Sequence, residues 1–276
     1  MKILKNRNIA LLLVLFTIYG CYGYNKILKD PNHANRYKAA LKYYNAEKYA
    51  KSTPLFESVE VYYGDQPEGD TVKFYIAKGY FLMSDYYSAE SELEQFTRTM
   101  GNSHFAEEAY YLRAVNLYKM SSRSELDQRN TIDAITAFNV FKTKYPNSEF
   151  GAKEKDYLDE LIGRLEQKVY LSAKLYYHIE DYKAAIVALR NSIKEFPNSR
   201  YNEEQSFLVL KSNYIYAKKS IRKMQPERYI ATIDEYYNFV SEYPDSKYIP
   251  EAEVIYKDAL SYTQKRGINI EDEIDR

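Results

Sequence analysis

The sequence predicts an all-α fold built from repeated helix pairs. Three observations predict it. A tetrapeptide of aromatic, Pro, Asn or Asp, and Ser recurs as Tyr145-Pro146-Asn147-Ser148, Phe196-Pro197-Asn198-Ser199 and Tyr243-Pro244-Asp245-Ser246. Each copy follows an amphipathic run (134–144, 184–195 and 231–242) and precedes an acid-rich start to another. The chain of 276 residues has only 9 glycines, too few for a strand-rich barrel or a Gly-rich nucleotide fold.

The recurring tetrapeptide has a physical reading. Proline ends a helix because it lacks an N–H and biases its predecessor away from helical dihedrals. The Asn/Asp-Ser pair then offers a capping oxygen to the next helix. The spacing of small and aromatic residues resembles the tetratricopeptide repeat. The fourth unit carries the pattern most fully: Ala173, Tyr176, Tyr182, Ala185, Leu189 and Pro197. The second carries Ala77, Tyr80, Tyr86, Ala89 and Leu93. The first carries Ala40, Tyr43, Tyr49 and Phe56, with Ser52 where Ala is usual. The third carries Ala114, Ala134, Phe138 and Pro146 around an inserted loop, Met120 to Asn130. The fifth keeps Tyr229, Thr232, Tyr236 and Pro244. The resemblance implies a right-handed superhelix, an α-solenoid of about five helix pairs, and Pro250 to Lys265 adds a C-terminal capping helix. Small residues let the two helices of a pair approach, and aromatics fill the gaps between pairs.

The amino terminus reads as an export signal. Lys2, Lys5 and Arg7 precede an 11-residue apolar run, Ile9 to Tyr19. A helix needs about 20 residues to cross a bilayer core of about 30 Å, so the run suits a signal peptide instead. Cys21, the only cysteine, follows Gly20 directly. That arrangement resembles a bacterial lipoprotein signal, with Tyr19 bulkier than the residue common there. The resemblance implies cleavage before Cys21 and acylation of its thiol and amine. Loss of residues 1–20 removes three bases and no acid from a chain with 39 of each, leaving a net charge of −3. Tyr22 stands where an inner-membrane retention Asp would stand, and Tyr22-Gly23-Tyr24-Asn25 lacks the acidic cluster of surface-exposed lipoproteins. The expected location is the outer membrane, lipid-anchored, on its periplasmic face.

The expected organisation is then a signal peptide at 1–20 and a lipidated tether at 21–33. Repeats one to three follow at 34–148, and repeats four and five with the cap at 149–267. A charged tail closes the chain at 268–276. Residues 149–180 form one long helix or two joined near Gly163.

Nothing in the sequence points to catalysis, a metal or a cofactor. His33, His104 and His178 are far apart and lack metal-binding spacing. There is no Gly-x-Ser-x-Gly elbow and no phosphate-binding glycine loop. One cysteine makes neither a disulfide nor a thiolate zinc site. Net charge argues against a nucleic-acid partner.

What remains is a binding surface. In tetratricopeptide repeats the first helix of each pair lines the groove. Mapped onto this chain, those positions hold Tyr37, Lys38, Leu41, Tyr44 and Asn45 in unit one. Unit two supplies Phe74, Tyr75, Lys78 and Phe81, and unit three Tyr111, Leu112, Val115 and Tyr118. Aromatics interleaved with lysines suit an extended peptide carrying aromatic side chains and a carboxylate. The candidate client-binding residues are Tyr37, Lys38, Tyr44, Phe74, Tyr75, Lys78 and Tyr111; the candidate lipidation site is Cys21.

The lipoprotein signal, five repeat units, the Tyr/Phe-Pro-Asn/Asp-Ser ends and the loop Ser121 to Gln128 before Thr131-Ile132-Asp133-Ala134-Ile135 together resemble the BamD family of outer-membrane assembly lipoproteins, in its aromatic-rich Bacteroidetes style. The resemblance implies two partners and no enzymatic activity. One is a BamA-like insertase, bound through its POTRA domains by the C-terminal repeats. The other is unfolded outer-membrane protein, received by the N-terminal repeats. Two rivals are a SusD-type glycan-binding lipoprotein and another periplasmic repeat scaffold of the Tol–Pal class. The short chain and the absence of Trp disfavour the first, and the lack of a sustained heptad run disfavours the second.

Overall fold

The computed structural model of the protein describes residues 23–64 and 66–268. The signal segment, Cys21 and the tail beyond Ile268 lie outside the described residues. A short helix, α1, covers 23–28. It is followed by α2 His33–Asn45, α3 Tyr49–Tyr63, α4 Gly69–Leu82, α5 Tyr86–Thr99, α6 Ala106–Met120 and α7 Arg129–Lys144. A 3-10 turn, Glu149–Lys153, leads into α8 Glu154–His178, which runs through Gly163 without a break. The chain continues with α9 Tyr182–Glu195, α10 Asn202–Lys218, α11 Gln225–Glu242 and α12 Ile249–Gln264. Among the described residues no strand occurs.

The chain divides into two compact units. The first runs to Ser122 and takes in Asp127–Leu161; the second comprises Arg123–Leu126 and everything from Ile162 on. The division falls within α8, later than a repeat boundary at 148/149. In the first unit, α2 through α7 each pack on the next. In the second, the same holds from α9 to α12, and Ala173 of α8 shares a core cluster with Ala185 and Leu189 of α9.

The small residues sit where the helices of a pair meet. Ala40, Ser52, Ala77, Ala89, Ala114, Ala134, Ala185 and Thr232 are fully buried, and Ala173 nearly so. In the first pair the Ser52 hydroxyl donates to the Ala40 carbonyl oxygen across the contact (3.0 Å), so the residue that replaces Ala adds a hydrogen bond. Three pairs turn through one design. Glu47, Ser84 and Glu180 have φ of 56°, 62° and 63°, each two residues before the tyrosine that opens the next helix (Tyr49, Tyr86, Tyr182). Asp85 and Asp181 cap that helix with a carboxylate accepting from Ser88 and Ala184 N–H.

Residues 21–33 were expected to be a tether. Of the described part, 23–28 form α1, which packs on the first pair, 29–32 are turn and loop, and His33 opens α2. Tyr24, Ile27 and Leu28 lie against the core of Ala40, Leu55, Phe56 and Val59. One face of α1 is thereby partly buried.

The serines depart from the expected helix cap: only Ser148 is a cap, on the 3-10 turn, while α10 and α12 start from Tyr201 and Tyr248 with no side-chain cap. Ser148, Ser199 and Ser246 accept, through Oγ, from the backbone N–H two residues on, at Phe150, Tyr201 and Tyr248. Ser103 does the same for Phe105. The repeated element is thus Asn/Asp-Ser-x-aromatic, and its fourth copy, Asn102-Ser103-His104-Phe105, has no proline.

Candidate functional site

That aromatic has a fixed partner. Phe105 stacks on Phe74 (centroids 4.4 Å apart), Tyr201 on Tyr170 (4.3 Å) and Tyr248 on Phe207 (4.5 Å). One helical turn after the first aromatic comes a lysine, and one turn after the second a glutamate. They pair as Lys78–Glu108, Lys174–Glu204 and Lys211–Glu251, each at 2.6 Å. Each lysine also lies over its own ring, 5.1–5.7 Å from the centroid. Each set joins the first helix of one pair to the first helix of the next, or to the cap, and acts as a latch. At the fourth such junction Phe150 stacks on Tyr111 (5.5 Å), but Val115 and Lys153 replace the ion pair.

The latch assigns a structural role to two groove candidates. Phe74 is 1% exposed, in the core with Ala77, Phe96 and Ala109, and a peptide reaches it only if the core opens. Lys78 is held by Glu108. Tyr111 belongs to a separate cluster with Phe141 and Phe150, and burial raises its hydroxyl pKa.

The other candidates come together. Tyr44 of α2 stacks on Tyr75 of α4, 4.3 Å apart and 8° from parallel. Both present edges to Phe56, at 6.3 and 5.5 Å. Tyr37 leans on Phe56 and on Tyr63 (4.8 Å), and Tyr75 reaches Phe105 (5.8 Å). Tyr37, Tyr44 and Tyr75 are half-buried, and Lys38, next to Tyr37 in the chain, is exposed. The result is a wall of rings with Phe56 behind it. The Tyr44 Oη is buried and, among the described residues, has no hydrogen-bond partner. Burial, then Tyr75, Tyr49 and Glu108, push its pKa well above that of free tyrosine. Such a phenol stays protonated and is an unused donor. Chemically, the wall can stack on aromatic or peptide planes; Lys38 adds an exposed positive charge.

A cleft of 410 Å³ beside α5, α6 and α7 is lined by Glu90, Glu94, Arg113 and Asp133 among others. Arg113 already holds Glu90 (2.8 Å) and Glu94 (3.2 Å), so its charge is used internally. Among the described residues no group of His, Cys, Asp and Glu could hold a metal ion, and no helix is long and apolar enough to cross a membrane.

Sequence reasoning missed the latch glutamates, which lie 30 or 40 residues from their lysines. The signal that could have found them is aromatic-x-x-Glu directly after Asn/Asp-Ser-x, set against aromatic-x-x-x-Lys in the preceding unit.

Comparison with known proteins gives two matches. A family described as "Outer membrane lipoprotein" (YfiO) matches residues 29–204 and 162–262. A protein of Rickettsia prowazekii (strain Madrid E), "Outer membrane protein assembly factor BamD", is 23% identical over 208 residues, covering 74% of this chain and 81% of its own length.

Proposed function

The chain belongs to the YfiO family of outer membrane lipoproteins, and we propose that it is a non-enzymatic component of the machinery that assembles outer-membrane β-barrel proteins. In this reading Cys21 carries the lipid anchor and the folded part lies on the periplasmic face. The first two helix pairs receive an extended segment of an unfolded barrel protein. The C-terminal pairs hold a BamA-like insertase.

The observation that carries the client role is the Tyr37–Tyr44–Tyr75 wall, with exposed Lys38. An extended peptide ending in an aromatic would stack its ring on Tyr44 and Tyr75. Its terminal carboxylate would face Lys38. Lys78 takes no part, because Glu108 holds it. The insertase role is assigned by region. It is supported by an exposed tyrosine-rich surface in the last pairs, where Tyr237 and Val254 are half or more exposed and Tyr237 shares a hydroxyl–hydroxyl bond with Tyr256 (2.9 Å).

Photocrosslinking in cells tests both halves. A photoreactive residue at Lys38 should capture unfolded barrel proteins, and one at Val254 should capture a single large partner with insertase character. Capture of neither class from either position would overturn the reading.

A further inference from the structure

The amino-terminal module differs in charge from everything after it. Residues 23–51 hold seven basic residues against two acids, Asp30 and Glu47, a net of +5. Residues 52–276 carry 29 bases and 37 acids, a net of −8. The bases also differ in what they do. In later segments Lys78, Lys174, Lys211, Lys219 and Arg190 hold carboxylates. Among the described residues none of the seven is in an ion pair, and Lys26, Lys29, Lys42 and Lys48 are exposed.

The fold gathers these lysines. The Tyr24 ring of α1 meets the Tyr43 ring edge-on at 5.8 Å. The Tyr24 hydroxyl donates to the Lys51 carbonyl oxygen (3.0 Å), and Lys51 Nζ lies 5.7 Å from both rings. α1 is therefore held against the α2–α3 turn. That places Lys26 and Lys29, on α1 and just after it, in one neighbourhood with Lys42, Lys48 and Lys51 around the turn. Cys21 precedes the first described residue by two positions, a reach of about 7 Å of extended chain.

We infer that this basic module is a membrane-surface contact that binds the phosphate headgroups of anionic lipids. The inference rests on the lipid-anchor reading of Cys21 for its orientation, while the charge asymmetry and the unpaired lysines are independent of it. The module turns an acyl tether into an oriented attachment: the +5 end is drawn to the leaflet and the −8 remainder is repelled from it. A basic patch beside an acyl chain is a known route to stable anchoring.

The test uses the mature chain carrying Cys21→Ser, so that no acyl chain contributes. It is co-sedimented with vesicles of equal parts phosphatidylglycerol and phosphatidylcholine, and with vesicles of phosphatidylcholine alone. Binding is expected only with phosphatidylglycerol. It should weaken as salt rises from about 0.1 to about 1 M, where the screening length falls from about 10 to about 3 Å. Neutralising one surface lysine should cost about fivefold, so Lys26→Gln/Lys29→Gln/Lys48→Gln together should cost about a hundredfold. The same change at Lys183, Lys194 and Lys223 should cost little. Equal sedimentation with both vesicles, no binding to either, or equal loss in the two triple variants would overturn the inference. Mass spectrometry of Cys21 in the wild-type protein tests the anchor separately. An unacylated Cys21 with intact phosphatidylglycerol binding would sink the anchor reading and leave this one standing.

Discussion

The first and fourth helix pairs are built alike and joined differently. Both bury small residues twelve positions apart, Ala40 with Ser52 and Ala173 with Ala185. Both turn through a left-handed glutamate, Glu47 and Glu180. In the fourth pair, Tyr170 is stacked by Tyr201, and Lys174 binds both Glu204 and the Tyr170 hydroxyl. The counterpart of Tyr170 in the first pair is Tyr37. Leu41 stands where Lys174 would be, and Glu68, the N-cap of α4, stands where the stacking aromatic would be. The first junction therefore lacks a latch; its rings are half-buried and Lys38 is exposed. One scaffold yields a closed joint where the latch is present and a candidate binding face where it is absent.

The largest effect that separates the two kinds of junction is removal of a latch ring. Phe207 is 3% exposed and stacked by Tyr248, so Phe207→Ala should cost about 3–5 kcal/mol. Tyr37→Ala, at the unlatched junction, should cost less than about 2 kcal/mol, because the ring is already half in water. Urea denaturation compares them; equal losses would dissolve the distinction between closed and open joints. Next come the features the two pairs share. Ala40→Leu and Ala185→Leu force extra carbons into the same tight contact and should each cost about 1–3 kcal/mol. Thermal melts unchanged in either variant would show that the repeat register is misplaced.

Smaller still is the ion pair. Burial raises the Glu204 carboxyl pKa, but hydrogen bonds from Lys174 and Tyr170 outweigh it and hold the group below its ordinary value. A lowered folded-state value means the contribution is present above the unfolded pKa of about 4.3 and is lost as pH falls through the folded value. Lys174→Met should cost up to about 1 kcal/mol, since the pair is partly solvated. Its deficit relative to wild type should shrink below about pH 4. Lys38→Met at the open junction should change stability by less than about 0.5 kcal/mol at any pH. A pH-independent deficit for Lys174→Met would remove the ion-pair explanation. One effect of comparable size is a gain. Glycine suits φ near 60°, so Glu47→Gly should stabilise by about 0.5–1 kcal/mol. Glu180→Gly should gain less, because Glu180 also holds Lys219 at 2.5 Å. A larger gain at Glu180 would contradict the assigned role of that pair.

The repeat register was legible because it is local. Alanines and aromatics at fixed spacing on one helix declare which face is buried, and Ala77, Ala89 and Ala185 have no exposure at all. The latch was not, because its halves lie on different helices and its fourth serine lacks the proline that marked the others. The wall of rings was half legible. Tyr44 and Tyr75 stand where the register put them. Phe74, next to Tyr75 and about 100° around the helix, turns into the core instead. In a chain with 32 tyrosines, aromatic identity alone does not separate surface from core. The tether expected at 21–33 was read from Asp30-Pro31-Asn32; the apolar face of Tyr24, Ile27 and Leu28 is one turn long and gives no period to detect.

The open wall of the first junction is where the client is proposed to bind, and one titration addresses it. A peptide ending in an aromatic residue with a free carboxylate is titrated into wild type, Tyr44→Ala, Tyr75→Ala and Lys183→Glu, with helical circular dichroism checked for each. Loss of a central aromatic anchor costs about 2 kcal/mol or more, so the two tyrosine variants should bind roughly thirtyfold more weakly. Lys183→Glu, in the second unit, should bind as wild type does. Equal affinity in all four folded proteins would contradict the assignment of the client to this wall.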